Sequence, residues 1–98
     1  MKIIFGAPGS GKTKAILELS AKNRIPVLCE SQQRVRRLLE KASGYGFEIP
    51  MPITIEEIDE RVNQVYIDDI KRVLEIALKI NLAGITVNQD EECEVSEL

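Results

Sequence analysis

The order of apolar segments along the chain predicts an α/β fold with a small parallel sheet of about four strands. Short apolar runs at residues 2–5, 27–29, 64–67 and 85–87 have the length and composition of buried strands. Segments with apolar residues at helical spacing lie between them. Because the chain has only 98 residues, we expect one core and one domain.

The first two helices have recognisable boundaries. The first helix is expected over residues 12–22 and must end before Pro26, which cannot continue a helix. Ser31 is a good N-cap for a second helix. The apolar residues of this second helix recur at helical spacing, namely Val35, Leu38, Leu39 and Ala42. Gly44, Gly46 and the prolines that follow predict a loop over residues 44–52.

The second half of the chain repeats this pattern less regularly. Thr54 and Glu57 have the spacing of a capping box, which predicts a short helix from Ile55 to about Val62. A third amphipathic helix is expected to begin at Ile70. The fourth strand, over residues 85–87, would end at Asn88. We expect residues 1–88 to form the domain, and residues 89–98 to be an acidic, disordered tail.

Composition excludes several classes of protein. No apolar run approaches the ~20 residues of a membrane span, and the start lacks a signal-peptide layout, so we expect a cytoplasmic chain with no membrane contact. Cys29 and Cys93 have no metal-ligand spacing, and the chain has no histidine. Residues 1–41 carry nine Lys or Arg and three Asp or Glu, whereas residues 42–98 carry four and thirteen. Overall charge therefore gives no general argument for nucleic-acid binding.

The strongest functional signal lies between the first strand and the first helix. Residues 6–13 read GAPGSGKT and match the pattern G-x-x-x-x-G-K-[ST] in the strand–loop–helix context that its mechanism requires. Glycines let the backbone wrap around phosphate groups and turn N–H groups toward them. Lys12 would bridge the β- and γ-phosphates, and the Thr13 hydroxyl would bind Mg²⁺. A plain glycine-rich turn is the alternative.

At these residues the chain resembles the P-loop NTPase superfamily, and the loop corresponds to its Walker A motif. The resemblance implies a three-layer α/β/α domain with the strand order first–fourth–third–second, and binding of ATP with Mg²⁺. ATP is preferred over GTP because the guanine-reading N-K-x-D motif is missing. The implied nucleotide-binding residues are Gly6, Ala7, Pro8, Gly9, Ser10, Gly11, Lys12, Thr13 and Lys14.

Acidic residues follow the third predicted strand. Asp68 comes directly after this apolar run and looks like the metal-binding aspartate of a Walker B strand, so the resemblance implies a metal site formed by Thr13 and Asp68. Asp69 stands where many P-loop ATPases carry a catalytic glutamate. Asn88 would sense the γ-phosphate, which makes Lys12, Asp69 and Asn88 the candidate catalytic residues. Either aspartate could instead only cap the following helix, and Asn88 could only end a strand.

These features leave several functions open. We expect a minimal ATPase that hydrolyses slowly and gains activity through self-association or a protein partner. Arg34, Arg36 and Arg37 are candidates for an arginine supplied to a neighbouring subunit. A non-hydrolysing nucleotide-binding regulatory module and a small nucleoside or nucleotide kinase are the alternatives. The second helix, with Lys41, could also contact nucleic acid, although its charges could simply be solvated.

Overall fold

A computed structural model describes residues 1–98, which form an α/β protein with three α-helices and small parallel sheets. In chain order the elements are β1 (Lys2–Phe5), α1 (Lys12–Asn23), β2 (Val27–Cys29), α2 (Gln32–Tyr45), β3 (Ile53–Thr54), a 3₁₀ turn (Ile55–Glu57), β4 (Tyr66–Ile67), α3 (Ile70–Leu78) and β5 (Glu94–Glu97). None of the helices has the length and apolar character needed to cross a bilayer.

The strands form two sheets instead of the single predicted one. The first sheet has the order β3–β2–β4, and the second pairs β1 with β5. All pairings are parallel. In the first sheet, Leu28 of β2 lies opposite Ile67 of β4 on one side and opposite Ile53 of β3 on the other. The second and third predicted strands correspond to β2 and β4. Their predicted pairing is therefore confirmed.

The core lies between α1, α2 and β2. Six buried residues form it, namely Leu17, Val27, Cys29, Val35, Leu38 and Ala42. The apolar face predicted for α2 is confirmed, since only Leu39 of its four residues stays partly exposed. On α1, Leu17 has no exposed surface and belongs to this core. Ser20 is also buried there, and its hydroxyl is satisfied by a hydrogen bond of 2.6 Å that it donates to the Ile25 carbonyl oxygen.

The helix predicted over residues 55–62 is wrong beyond its first turn. The capping box is present, since the Thr54 N–H donates to Glu57 Oε1 at 3.1 Å. However, Ile58 has an extended backbone with ψ 126°, and the chain leaves the helical path there. The Asp59 carboxylate accepts from the Arg61 N–H at 2.9 Å, and this local turn competes with helix continuation.

The predicted fourth strand is also wrong, because residues 85–87 form no strand. The edge of β1 is paired instead with β5, within the segment for which the sequence predicts disorder. Strand β5 pairs with all four residues of β1, from Lys2 to Phe5, whereas the predicted strand at residues 85–87 has only three residues. An ion pair of 3.3 Å between Lys2 and Glu94 adds to it. The strand order first–fourth–third–second is therefore not observed.

Candidate functional site

The glycine-rich loop connects β1 to α1 and contains two residues with left-handed backbone. Gly9 has φ 80° and Gly11 has φ 95°, values that side chains with a Cβ rarely adopt. A Cβ added at either position would meet no heavy atom within 4 Å, so the space beside the loop is open. The Ser10 N–H donates to the Ala7 carbonyl oxygen at 3.1 Å and closes a turn. Glycine adopts this backbone without strain, so the loop combines a left-handed path with free space beside Gly9 and Gly11.

The loop ends at the N-terminus of α1, which no side chain caps. Gly11 is its N-cap residue and offers no side-chain acceptor, and the first turn contains no acidic residue. By contrast, Ser31 caps α2 and Asp69 caps α3 through side-chain oxygens. The first N–H groups of a helix lack intrahelical partners and attract anions. At α1 no side chain accepts from these N–H groups, so their partners must be water or a ligand.

Two polar side chains of the loop have limited partners. The Lys12 ammonium folds back and donates to the Ala7 carbonyl oxygen at 2.7 Å. The Ser10 hydroxyl oxygen is buried and has no hydrogen-bond partner. A Cβ at Gly6 would collide with this hydroxyl and would approach the Leu98 carbonyl oxygen and Lys12 Cγ to 3.1 Å, so a side chain at Gly6 would force the Ser10 hydroxyl to move. A hydroxyl without a partner and an ammonium group beside a helix N-terminus suit the oxygens of a phosphate group.

The structure brings Thr13 and Asp68 together, although they are 55 residues apart in sequence. The Thr13 hydroxyl lies 3.1 Å from Asp68 Oδ2 and 3.3 Å from Oδ1. Thr13 lies in the first turn of α1, and Asp68 follows the carboxyl end of β4. Asp68 is 8% exposed. The predicted metal pair therefore occupies one place, at the carboxyl edge of the three-stranded sheet and next to the glycine loop.

Sequence reasoning missed that Arg34 completes this cluster. Its Nη2 donates to Asp68 Oδ2 at 3.0 Å, and its side chain is only 18% exposed. The Ser31 cap accepts from the Arg34 N–H at 3.1 Å, which fixes Arg34 in the first turn of α2. The sequence suggests Arg34 as an arginine supplied to a neighbouring subunit, but in the structure it pairs within its own chain. Arg34 lies in the first turn of α2, which follows β2, and the carboxyl end of β2 adjoins that of β4. No pattern in the sequence marks this placement.

The remaining predicted site residues lie elsewhere or have other roles. Asp69 has φ 59°, is exposed and accepts from the Arg72 N–H at 3.3 Å, so its carboxylate caps α3. Asn88 is exposed in an irregular segment, and the structure does not bring it to Lys12 or Asp68 through a strand. The Lys14 ammonium lies 5.3 Å from the centre of the Tyr45 ring, on the exposed side of α1.

A second ion pair reinforces the same sheet edge. Glu30 follows β2, its side chain is 5% exposed, and it accepts from Arg72 Nε at 2.9 Å. This contact ties α3 to the end of β2. Beside it, burial raises the pKa of the Cys29 thiol above its ordinary value, the largest of several influences on that group. A buried thiol with a raised pKa is a poor nucleophile, so Cys29 belongs to the core.

The donor set suits a hard cation shared with a ligand. The chain has no group of three or more His, Cys, Asp or Glu residues placed to hold a metal by themselves. Mg²⁺ in nucleotide sites commonly uses one or two protein oxygens together with phosphate oxygens and water. Thr13 and Asp68 supply oxygens of this kind beside a loop that suits phosphate. No family model matches the chain, and neither a search of curated proteins nor one of solved structures finds a match.

Proposed function

We propose that the chain is a P-loop NTPase-like protein that binds ATP together with Mg²⁺ at the glycine loop. The observation that carries the proposal is the contact between the Thr13 hydroxyl and the Asp68 carboxylate, at 3.1 Å, beside the uncapped N-terminus of α1. A threonine at the start of this helix and an aspartate after a neighbouring strand are the two residues that such a site needs.

Each residue of the loop then has a physical task. The N–H groups at the start of α1 and the backbone around Gly9 and Gly11 would receive phosphate oxygens. The Lys12 ammonium, now on the Ala7 carbonyl oxygen, would turn to the β- and γ-phosphates. Mg²⁺, held by Thr13 and approached by Asp68, would neutralise phosphate charge. The buried Ser10 hydroxyl would gain a phosphate partner that it lacks in the protein alone.

Hydrolysis is the second part of the proposal, and we place it at a low rate in the isolated chain. No carboxylate in the site is free to activate water, because Asp68 is paired with Thr13 and Arg34 and Asp69 caps α3. Self-association or a protein partner would supply what is missing. The engagement of Asp69 as a cap also favours a second candidate, a nucleotide-binding regulatory module that does not hydrolyse. Turnover of ATP as a function of protein concentration separates the two.

The binding proposal is tested by replacing Lys12. Lys12→Ala removes a charged donor from the phosphates, and we expect the affinity for Mg-ATP to fall about 10- to 100-fold. Titration calorimetry measures this change. Lys22→Ala is the matched control, because Lys22 is an exposed lysine in the last turn of the same helix. Equal affinities of the Lys12→Ala variant and the unmodified chain, or no binding by either, would show that the loop is not a nucleotide site.

A further inference from the structure

The carboxylate of Asp68 has two kinds of partner, and only one of them is charged. The Thr13 hydroxyl contacts both of its oxygens, and Arg34 Nη2 contacts Oδ2 at 3.0 Å. Both side chains of the ion pair are largely buried, at 18% exposed for Arg34 and 8% for Asp68. A buried carboxylate without a counter-charge is costly, so Arg34 stabilises Asp68 in the protein without metal.

No second acid shares the Arg34 guanidinium. Glu30 is the other buried acid at this sheet edge, and its carboxylate is paired with Arg72 at 2.9 Å. The Asp68 carboxylate is therefore the acid that neutralises the charge of Arg34. A divalent cation at Thr13 and Asp68 would add two positive charges a few ångströms from the guanidinium, and one carboxylate cannot neutralise both. Metal binding and the Arg34–Asp68 contact must oppose one another.

We propose that Arg34 and the divalent cation exchange at Asp68. Arg34 holds the carboxylate when metal is absent, and it is released when metal binds. The α2 backbone stays in place, because Ser31 caps the helix at the Arg34 N–H. This inference deepens the proposed function and rests on it for the divalent cation at Thr13 and Asp68. Arg34 is a positioning residue that sets how strongly nucleotide binding depends on metal.

The first test measures metal affinity without nucleotide. Mn²⁺ serves as the paramagnetic probe for the Mg²⁺ site, and its binding is followed by electron paramagnetic resonance. We expect Arg34→Gln to raise the Mn²⁺ affinity about tenfold, as the loss of one direct contact with a competitor should. Lys41→Gln is the control, since it removes the same charge from an exposed position of α2 and should leave the affinity unchanged. Equal affinities of the Arg34→Gln variant and the unmodified chain, or no Mn²⁺ binding by either of them, would overturn the inference.

A double variant and a second substitution keep the test decisive. The gain from Arg34→Gln should vanish when Asp68→Asn is also present, because the contested carboxylate is then gone. A gain that persists in the double variant would overturn the exchange at Asp68. Circular dichroism verifies that each variant folds. If Arg34→Gln does not fold, Arg34→Met is measured with the same expectation, because its side chain keeps an apolar stem in the partly buried site and carries no charge.

Nucleotide titrations separate this inference from the function on which it rests. ATP affinity is measured with Mg²⁺ and with a chelator, and the ratio gives the metal dependence. We expect this ratio to rise about tenfold in Arg34→Gln. A purely structural role would weaken binding equally in both conditions and leave the ratio unchanged, which would refute the exchange. If the unmodified chain binds no ATP in either condition, the proposed function fails, while the Mn²⁺ result still decides whether Arg34 and a cation compete.

Discussion

Helices α2 and α3 have similar sequence patterns but different environments. Each repeats apolar residues at helical spacing, and each starts at a capped N-terminus. Three residues of α2 are buried, namely Val35, Leu38 and Ala42, whereas α3 buries only Val73. The apolar residues Ile70, Ile76 and Leu78 of α3 are 44–57% exposed. No residue after Val73 is buried.

The difference shows that an amphipathic pattern predicts a helix but not its burial. Helix α2 packs beside α1 and β3, which supply a second layer, and the core forms between them. Helix α3 has no comparable packing on other elements, and the strand predicted after it does not form. The candidate site lies at the boundary of the two regions. Thr13 and Arg34 come from the well-packed part, and Asp68 comes from the turn directly before α3.

The difference in packing between α2 and α3 is tested most directly by truncating one leucine in each helix. Leu38→Ala removes a side chain with no exposed surface, and we expect it to lower the free energy of unfolding by about 2–5 kcal/mol. Leu78→Ala removes a side chain that is 57% exposed, and its effect should stay within about 0.5 kcal/mol. Urea denaturation measures both. Similar losses would mean that α3 is packed in solution as tightly as α2.

Gly11, before α1, and Gly84, after α3, test the same difference through the backbone. Gly11→Ala forces a Cβ into a residue with φ 95°, and we expect a loss of about 1–2 kcal/mol in the free energy of unfolding. Gly84 lies after α3, has no left-handed backbone, and a Cβ there would meet nothing within 4 Å. Gly84→Ala should therefore stabilise the fold by about 0.4–1 kcal/mol. A destabilising Gly84→Ala would indicate that residues near Gly84 pack more closely than the structure shows.

The smallest expected effect concerns acid sensitivity at the capping box. The pKa of Glu57 is held below its usual range, first by the Thr54 N–H and then by the Thr54 hydroxyl and the Gln32 amide. A lowered pKa in the folded state adds stability that is present above the unfolded pKa of about 4.3 and is lost as the pH falls through the folded value. The stability difference between the unmodified chain and Glu57→Gln should therefore shrink from pH 7 to pH 3.

Glu56→Gln is the control for this measurement, because Glu56 is exposed and its side chain makes no hydrogen bond. Its stability should follow that of the unmodified chain across the same pH range. Thermal denaturation at each pH gives both curves. A constant difference for Glu57→Gln would mean that the hydrogen bonds of the capping box do not persist in solution.

Local sequence signals determined much of this protein. The loop of residues 6–13, the Ser31 cap, the capping box at Thr54 and the helices α1, α2 and α3 all follow from residue types at short spacing, and the structure contains them. Caps, glycine turns and helical periodicity act within one or two turns, so the sequence shows them directly. The α/β class follows from the same signals, since strands alternate with helices.

Only the tertiary structure decided the pairing of distant segments. The edge of β1 is taken by residues 94–97 instead of residues 85–87, and the aspartate after β4 meets both Thr13 and Arg34. Such choices depend on competition among partners far apart in sequence, where small differences in ladder length and charge decide. The pairing of Thr13 with Asp68 was expected from a resemblance to P-loop proteins. The ion pair of Arg34 with Asp68 had no pattern in the sequence, because it exists only where the ends of β2 and β4 meet.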